Sequence, residues 1–160
     1  MAKYYAAPQV GDIVQCRFPQ DRIRQPGPKE RPALVIEVEE FELPDQSIEV
    51  FVTVAYGTSV DVEHCHPGEI RINSTDPHAG LGLDTKFDLG CRVKLPFDMD
   101  WFAPAPGKRF GAHPKRGKLN TANSDLKRRL SSAIAELKKE RRPATLDMSS
   151  KSGRGKNAKP

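Results

Sequence analysis

The sequence predicts a mainly β fold, a small barrel or sandwich of short strands followed by one C-terminal helix. Three observations predict it. Short runs of β-branched and aromatic residues recur between turn signals over residues 11–95, with no helical period between them. One later stretch, residues 123–142, places apolar side chains at helical spacing. The chain has 160 residues, 37% of them apolar, and 14 prolines, which is enough for one core plus extensions that lie outside it.

The elements follow in order. Residues 11–18, Gly11-Asp12-Ile13-Val14-Gln15-Cys16-Arg17-Phe18, alternate imperfectly and read as a first strand, with Gly11 and Asp12 shaping its opening turn. Residues 19–30 are a polar Pro/Gly-rich loop, too punctuated for regular structure. Residues 33–41 form a second strand whose latter half turns amphipathic, as an antiparallel strand with one wet face should. Ile48 to Ala55 is a third strand, rich in β-branched residues, and Glu69-Ile70-Arg71-Ile72 a short fourth. Residues 85–89 and 91–95 read as strands broken at Gly90, since glycine within a strand pattern marks a bulge or corner. Residues 1–102 thus make one barrel-like domain, and residues 103–122 an irregular basic linker. In the helix over 123–142, Asn123 or Ser124 caps the N-terminus and Leu126, Leu130, Ile134 and Leu137 form the stripe. Pro143 stops it, and the Ser/Gly/Lys-rich residues 143–160 predict disorder.

The formal net charge of +5 conceals an asymmetry. Residues 1–102 carry 10 Lys/Arg against 17 Asp/Glu, net −7, while residues 103–160 carry 16 against 4, net +12. An acidic body with a basic extension is either a soluble protein with a solvated tail or one with an electrostatic arm for nucleic acid. No stretch approaches the ~20 apolar residues of a membrane span. The start of the chain lacks the apolar run of a leader, which predicts a cytoplasmic protein. Cys16, Cys65 and Cys91 are odd in number and widely spaced, which suits reduced thiols rather than a disulfide framework. His64-Cys65-His66 lacks the paired ligand spacing of a zinc site, and no motif supports Cys91 as a nucleophile. Trp101-Phe102 reads as core or dimer contact.

Arg31 is the first candidate for chemistry. It precedes Pro32-Ala33-Leu34-Val35-Ile36, so a five-donor cation stands at the mouth of a buried strand, biased to extended backbone by the proline. Such a group meets either a phosphate or a structural carboxylate. Glu30, Glu49 and Asp12 are the carboxylates for a salt bridge. Thr58-Ser59 beside Gly57 reads either as turn chemistry or as a pair of hydroxyls for a ligand. Arg17, Arg22, Arg24 and Lys29 make residues 19–30 and their edge either a solvated lid or a clamp on phosphates.

Four segments together resemble the MazF/PemK family of type II toxin-antitoxin ribonucleases, over roughly residues 8–102. They are Gly11-Asp12-Ile13-Val14, Lys29-Glu30-Arg31-Pro32-Ala33-Leu34-Val35-Ile36, Val52-Thr53-Val54-Ala55-Tyr56-Gly57-Thr58-Ser59, and Thr85-Lys86-Phe87-Asp88-Leu89 followed by Leu95-Pro96-Phe97. The resemblance implies an SH3-like barrel, usually a homodimer, that cleaves single-stranded RNA without metal or cofactor and is held in check by a cognate antitoxin peptide. It matches the family's catalytic arginine to Arg31 and its hydroxyl partner to Thr58; Arg17, Arg22, Arg24, Lys29 and Ser59 stay beside them as candidate substrate contacts read from the residues themselves. The chemistry suits those residue types. The ribose 2′-oxygen attacks its own phosphate, charge builds on the phosphorane oxygens, and an arginine fork stabilises it. Because arginine holds its proton, electrostatic stabilisation comes before proton transfer among its roles. The sequence departs from the family at Gly57, where the commonest members have an apolar residue, and in the acidic balance of its barrel. The positive field then comes from the basic loop or from the tail, or the barrel does not cleave. The alternative function is a non-catalytic barrel with a basic arm, binding nucleic acid or a partner protein.

Overall fold

The computed structural model describes residues 4–19, 25–140 and 145–148. Seven strands form one curled sheet: β1 (Asp12–Cys16), β2 (Arg31–Glu42), β3 (Ile48–Thr58), β4 (Glu69–Ile72), β5 (Thr85–Pro96), β6 (Lys115–Lys118) and β7 (Leu146–Asp147). Their order is β4-β5-β3-β2-β1-β6, every pairing antiparallel except β7, which lies parallel on β5. One helix, α1 (Ser124–Lys139), follows β6. The mainly β architecture with one C-terminal helix is the one that the strand spacing predicts. Among the described residues, no helix is long and apolar enough to cross a membrane.

Strand alternation gives the sheet two apolar faces. Val14, Ala33, Val35, Val52, Val54, Val93 and Leu95 point to one core, closed by Phe97, Trp101 and Phe102. Ile13, Leu34, Ala55, Phe87 and Leu89 point to the other, covered by α1 and by residues 70–81. Phe102 is fully buried, so the Trp101-Phe102 pair belongs to the core. The outer edges of the sheet are covered as well. The Lys118 amide of β6 donates to the His78 carbonyl (2.8 Å), and the Arg71 carbonyl of β4 accepts from Arg129 Nη1 of α1 (2.7 Å). Covered edges offer no template for further strands.

The structure departs from the sequence expectation in four places. Residues 85–96 are one strand, and Gly90 marks a bulge in it: β3 pairs Ala55 with Arg92 and Tyr56 with Asp88, leaving residues 89–91 out of register. The segment expected as an irregular linker contains β6. That strand has no β-branched residue to announce it. Backbone pairing with β1 holds it, together with the 78–80 turn, which lies so close that a Cβ at Gly117 would overlap the Ala79 and His78 carbonyls. Residues 146–147, expected in the tail, form β7, and Met148 is buried beside them. The remainder of that tail, and the helix end at 141–142, lie outside the described residues. Finally, Ala133 and not Ile134 is buried in α1, with Leu126 and Leu137, while Ile134 is 42% exposed. At about 100° per residue, position 133 falls some 20° from the Leu126 direction and position 134 some 80° away. The Asn123 side chain caps the helix, accepting from the Leu126 amide at 3.0 Å.

Candidate functional site

The antiparallel register of β2 and β3 assembles the site. Ala33 pairs with Tyr56, so two residues further on Arg31 and Thr58 stand at facing strand ends. Both line a cavity of about 280 Å³, together with Glu30 and Ser59. The Thr58 hydroxyl oxygen accepts from the Val60 amide at 3.1 Å, which leaves its own proton free to donate. Ser59 is exposed at the rim.

None of the three carboxylates offered as salt-bridge partners holds Arg31. The Glu30 carboxylate lies 3.4 Å from Arg17 Nη2. Asp12 accepts from the Gln9 amide (2.9 Å) in the turn before β1 and lies 3.4 Å from Lys115 Nζ. Glu49 stands opposite Phe41 near the far end of the β2–β3 hairpin. Among the described residues Arg31 makes no hydrogen bond and no ion pair; its guanidinium carbon lies 5.9 Å from the Tyr56 ring centroid. It lines the cavity as a cation whose donors are uncommitted among the described residues.

The basic loop contributes less. Arg17 spends its donors on the carbonyls of Met99 (2.8 Å) and Asp100 (3.3 Å) and on Glu30, and it does not line the cavity. Lys29 is exposed and outside it. Arg22 and Arg24 lie outside the described residues.

Arg116, a residue that sequence reasoning passed over, also lines the cavity. β1 pairs Ile13 with Gly117 and Val14 with Lys115, so Arg116 is the extra residue of a β-bulge. Bulges commonly re-aim a side chain next to a functional site. Its Nη1 donates to Gln15 Oε1 (2.6 Å) and its Nε to the Gly80 carbonyl (3.1 Å). Burial pushes its guanidinium below the ordinary arginine value. Gln15 in turn reaches Glu30 Oε1 at 3.4 Å, which links Arg116 to the cavity's carboxylate. Lys115-Arg116-Gly117-Lys118 offered no more signal than its charge.

Larger hollows elsewhere have weaker chemistry. One of about 630 Å³ between β4 and α1 contains Arg71, Arg128 and Arg129, but each is tied to an aspartate, Asp84 or Asp125. Another, of about 440 Å³, is an apolar groove under Leu130 and Ile134. His64, Cys65 and His66 are exposed, with His64 Nδ1 2.8 Å from Asp61. Among the described residues no three His, Cys, Asp or Glu side chains gather as a metal site. Cys16 is buried, and burial raises its thiol well above the ordinary range, so it is unreactive.

Fold and site together define a class: a curled antiparallel β domain with a cavity lined by two arginines, three hydroxyl residues and a carboxylate among apolar neighbours. Compared with known protein families and with curated proteins, the chain matches none.

Proposed function

We propose that this protein is a metal-independent endoribonuclease toxin of the MazF/PemK type, acting in the cytoplasm on single-stranded RNA and inhibiting growth. On this reading the curled sheet is an open SH3-like barrel, the working unit is a homodimer, and a cognate antitoxin peptide restrains it. The observation that carries the reading is the meeting of Arg31, uncommitted among the described residues, with the Thr58 hydroxyl in one cavity.

The chemistry follows from the lining. A phosphodiester enters with its non-bridging oxygens toward the Arg31 fork and the Thr58 proton. Glu30, the acid among the lining residues, accepts the proton of the ribose 2′-hydroxyl. The 2′-oxygen forms a bond to phosphorus and the bond to the 5′-oxygen breaks; that oxygen takes a proton from solvent. The products are a 2′,3′-cyclic phosphate and a 5′-hydroxyl. Arg31 and Thr58 stabilise the added phosphorane charge, an effect worth about 2.7–4 kcal/mol per donor in comparable oxyanion sites.

The test is cleavage of single-stranded RNA in EDTA by wild type and Arg31→Ala. Wild type is expected to leave cyclic phosphate ends, and Arg31→Ala to lose about 100-fold or more in rate while melting at the wild-type temperature. Full activity of that variant sinks the assignment. The second reading, a non-catalytic module that binds nucleic acid through its basic half, is favoured by the acidic balance of residues 1–102. It predicts salt-sensitive binding with no cleavage under the same conditions.

A further inference from the structure

We infer that Arg116 is a second phosphate-binding cation of the cavity, supplied to the acidic body by the basic C-terminal half of the chain through strand β6. The inference rests on the reading of the cavity as a nucleic-acid site and extends it to a group that no part of the MazF/PemK resemblance covers.

Three observations carry it. The first is aim: Arg116 is the bulged residue of β6 and its side chain lines the same cavity as Arg31 and Thr58. The second is preorganisation. Nη1 and Nε are both committed, to Gln15 Oε1 and the Gly80 carbonyl, which fixes the plane of the guanidinium. Nη2 has no partner among the described residues. The third is charge. Among the described residues no carboxylate lies within ion-pair distance of Arg116, although the group is half-buried. A guanidinium partly withdrawn from solvent without a counter-ion loses some hydration, which an arriving anion offsets. The two arginines then divide the work. Arg116, held rigid, grips a phosphate in the ground state. Arg31, with no partner among the described residues, follows the charge that develops in the transition state.

The same placement resolves the field problem of an acidic barrel. Lys115 neutralises Asp12 at 3.4 Å, and its neighbour Arg116 turns into the cavity, so the positive half of the chain acts at the site itself.

The experiment measures binding of a fluorescein-labelled 2′-O-methyl single-stranded oligonucleotide, which cannot be cleaved, by anisotropy across a salt series. Each phosphate neutralised on a single strand contributes about −0.7 to the slope of log K against log salt. Arg116→Met is expected to weaken binding roughly tenfold, as loss of a charge-assisted hydrogen bond does, and to flatten the slope by about 0.7, while Arg116→Lys keeps the slope. With cleavable RNA, Arg116→Met raises KM more than it lowers kcat, the reverse of Arg31→Ala. A merely structural role would change melting temperature but leave the salt slope alone. Wild-type slope in Arg116→Met, or no oligonucleotide binding by wild type, overturns the inference. An Arg116-dependent slope in a protein that cleaves no RNA upholds it and removes only the ribonuclease reading. Should Arg116→Met fail to fold, inorganic phosphate is titrated into wild type and the Arg116 Nε resonance is followed by NMR. A saturable shift supports the inference, and an unmoved resonance overturns it.

Discussion

Arg31 shows how little a residue type settles without its surroundings. A cation beside Glu30 invites a salt bridge, yet Glu30 turns to Arg17 and Gln15, and among the described residues Arg31 keeps its donors. Gly57 has the opposite history: an apparent departure from a family pattern that the packing explains. A Cβ there would overlap the Pro32 carbonyl and come within 2.8 Å of Phe87 Cε1, so only glycine lets β2 and β3 close beside the site. Gly57→Ala is expected to cost about 1–3 kcal/mol of stability, read from the urea midpoint, because it overpacks a rigid contact. It should also lower cleavage by displacing Thr58 from Arg31.

At the scale of elements, bulges and loops decide what the strands present. The bulge at Gly90 lets β5 serve both β4 and β3, and its glycine amide is satisfied by the Asp88 carboxylate at 2.8 Å. After β4, Asp84 ties the chain back to the sheet, accepting from the Ser74 amide (2.7 Å) and from Arg71 Nη2 (3.1 Å). The Ser74 backbone bond, then its hydroxyl, then Arg71 hold the Asp84 carboxyl below its ordinary value of 3.8. A depressed carboxylate adds stability that is complete above its ordinary value and lost as pH falls through the lowered one. The difference in urea midpoint between wild type and Asp84→Asn should therefore be constant above about pH 5 and close below 3.8. A difference that persists at pH 2 would show that the carboxylate charge is not what matters there.

For the whole molecule, the boundary that composition suggests at residue 102 is not where the fold stops. β6 pairs with β1, and Leu119, Leu126 and Leu137 from beyond that boundary fill the second core. Burying three leucines contributes about 5–9 kcal/mol, comparable with the 5–15 kcal/mol that stabilises a typical domain. A fragment of residues 1–102 is expected to show no cooperative melt by circular dichroism, whereas the full chain should. A cooperative fragment would mean that the acidic half folds alone and the basic half is an appendage. The charge asymmetry has the same logic: Lys115 carries positive charge from the +12 half to Asp12 of the −7 half, and Arg116 carries it to the cavity.

The sequence by itself determined the β class, the single helix and the identity of two residues that meet in the cavity. Those features are written locally, in β-branched runs, a cap followed by an amphipathic period, and a proline that fixes the backbone beside Arg31. Only the tertiary structure decided that Arg31 has no ion-pair partner among the described residues, that Arg17 is committed to carbonyls and Glu30, and that Arg116 joins the site. Those outcomes depend on register across long loops, on where a bulge turns one side chain, and on which carboxylate each cation reaches first. None of these is encoded by neighbours in the chain, because β6 lies about one hundred residues from the strand it pairs with.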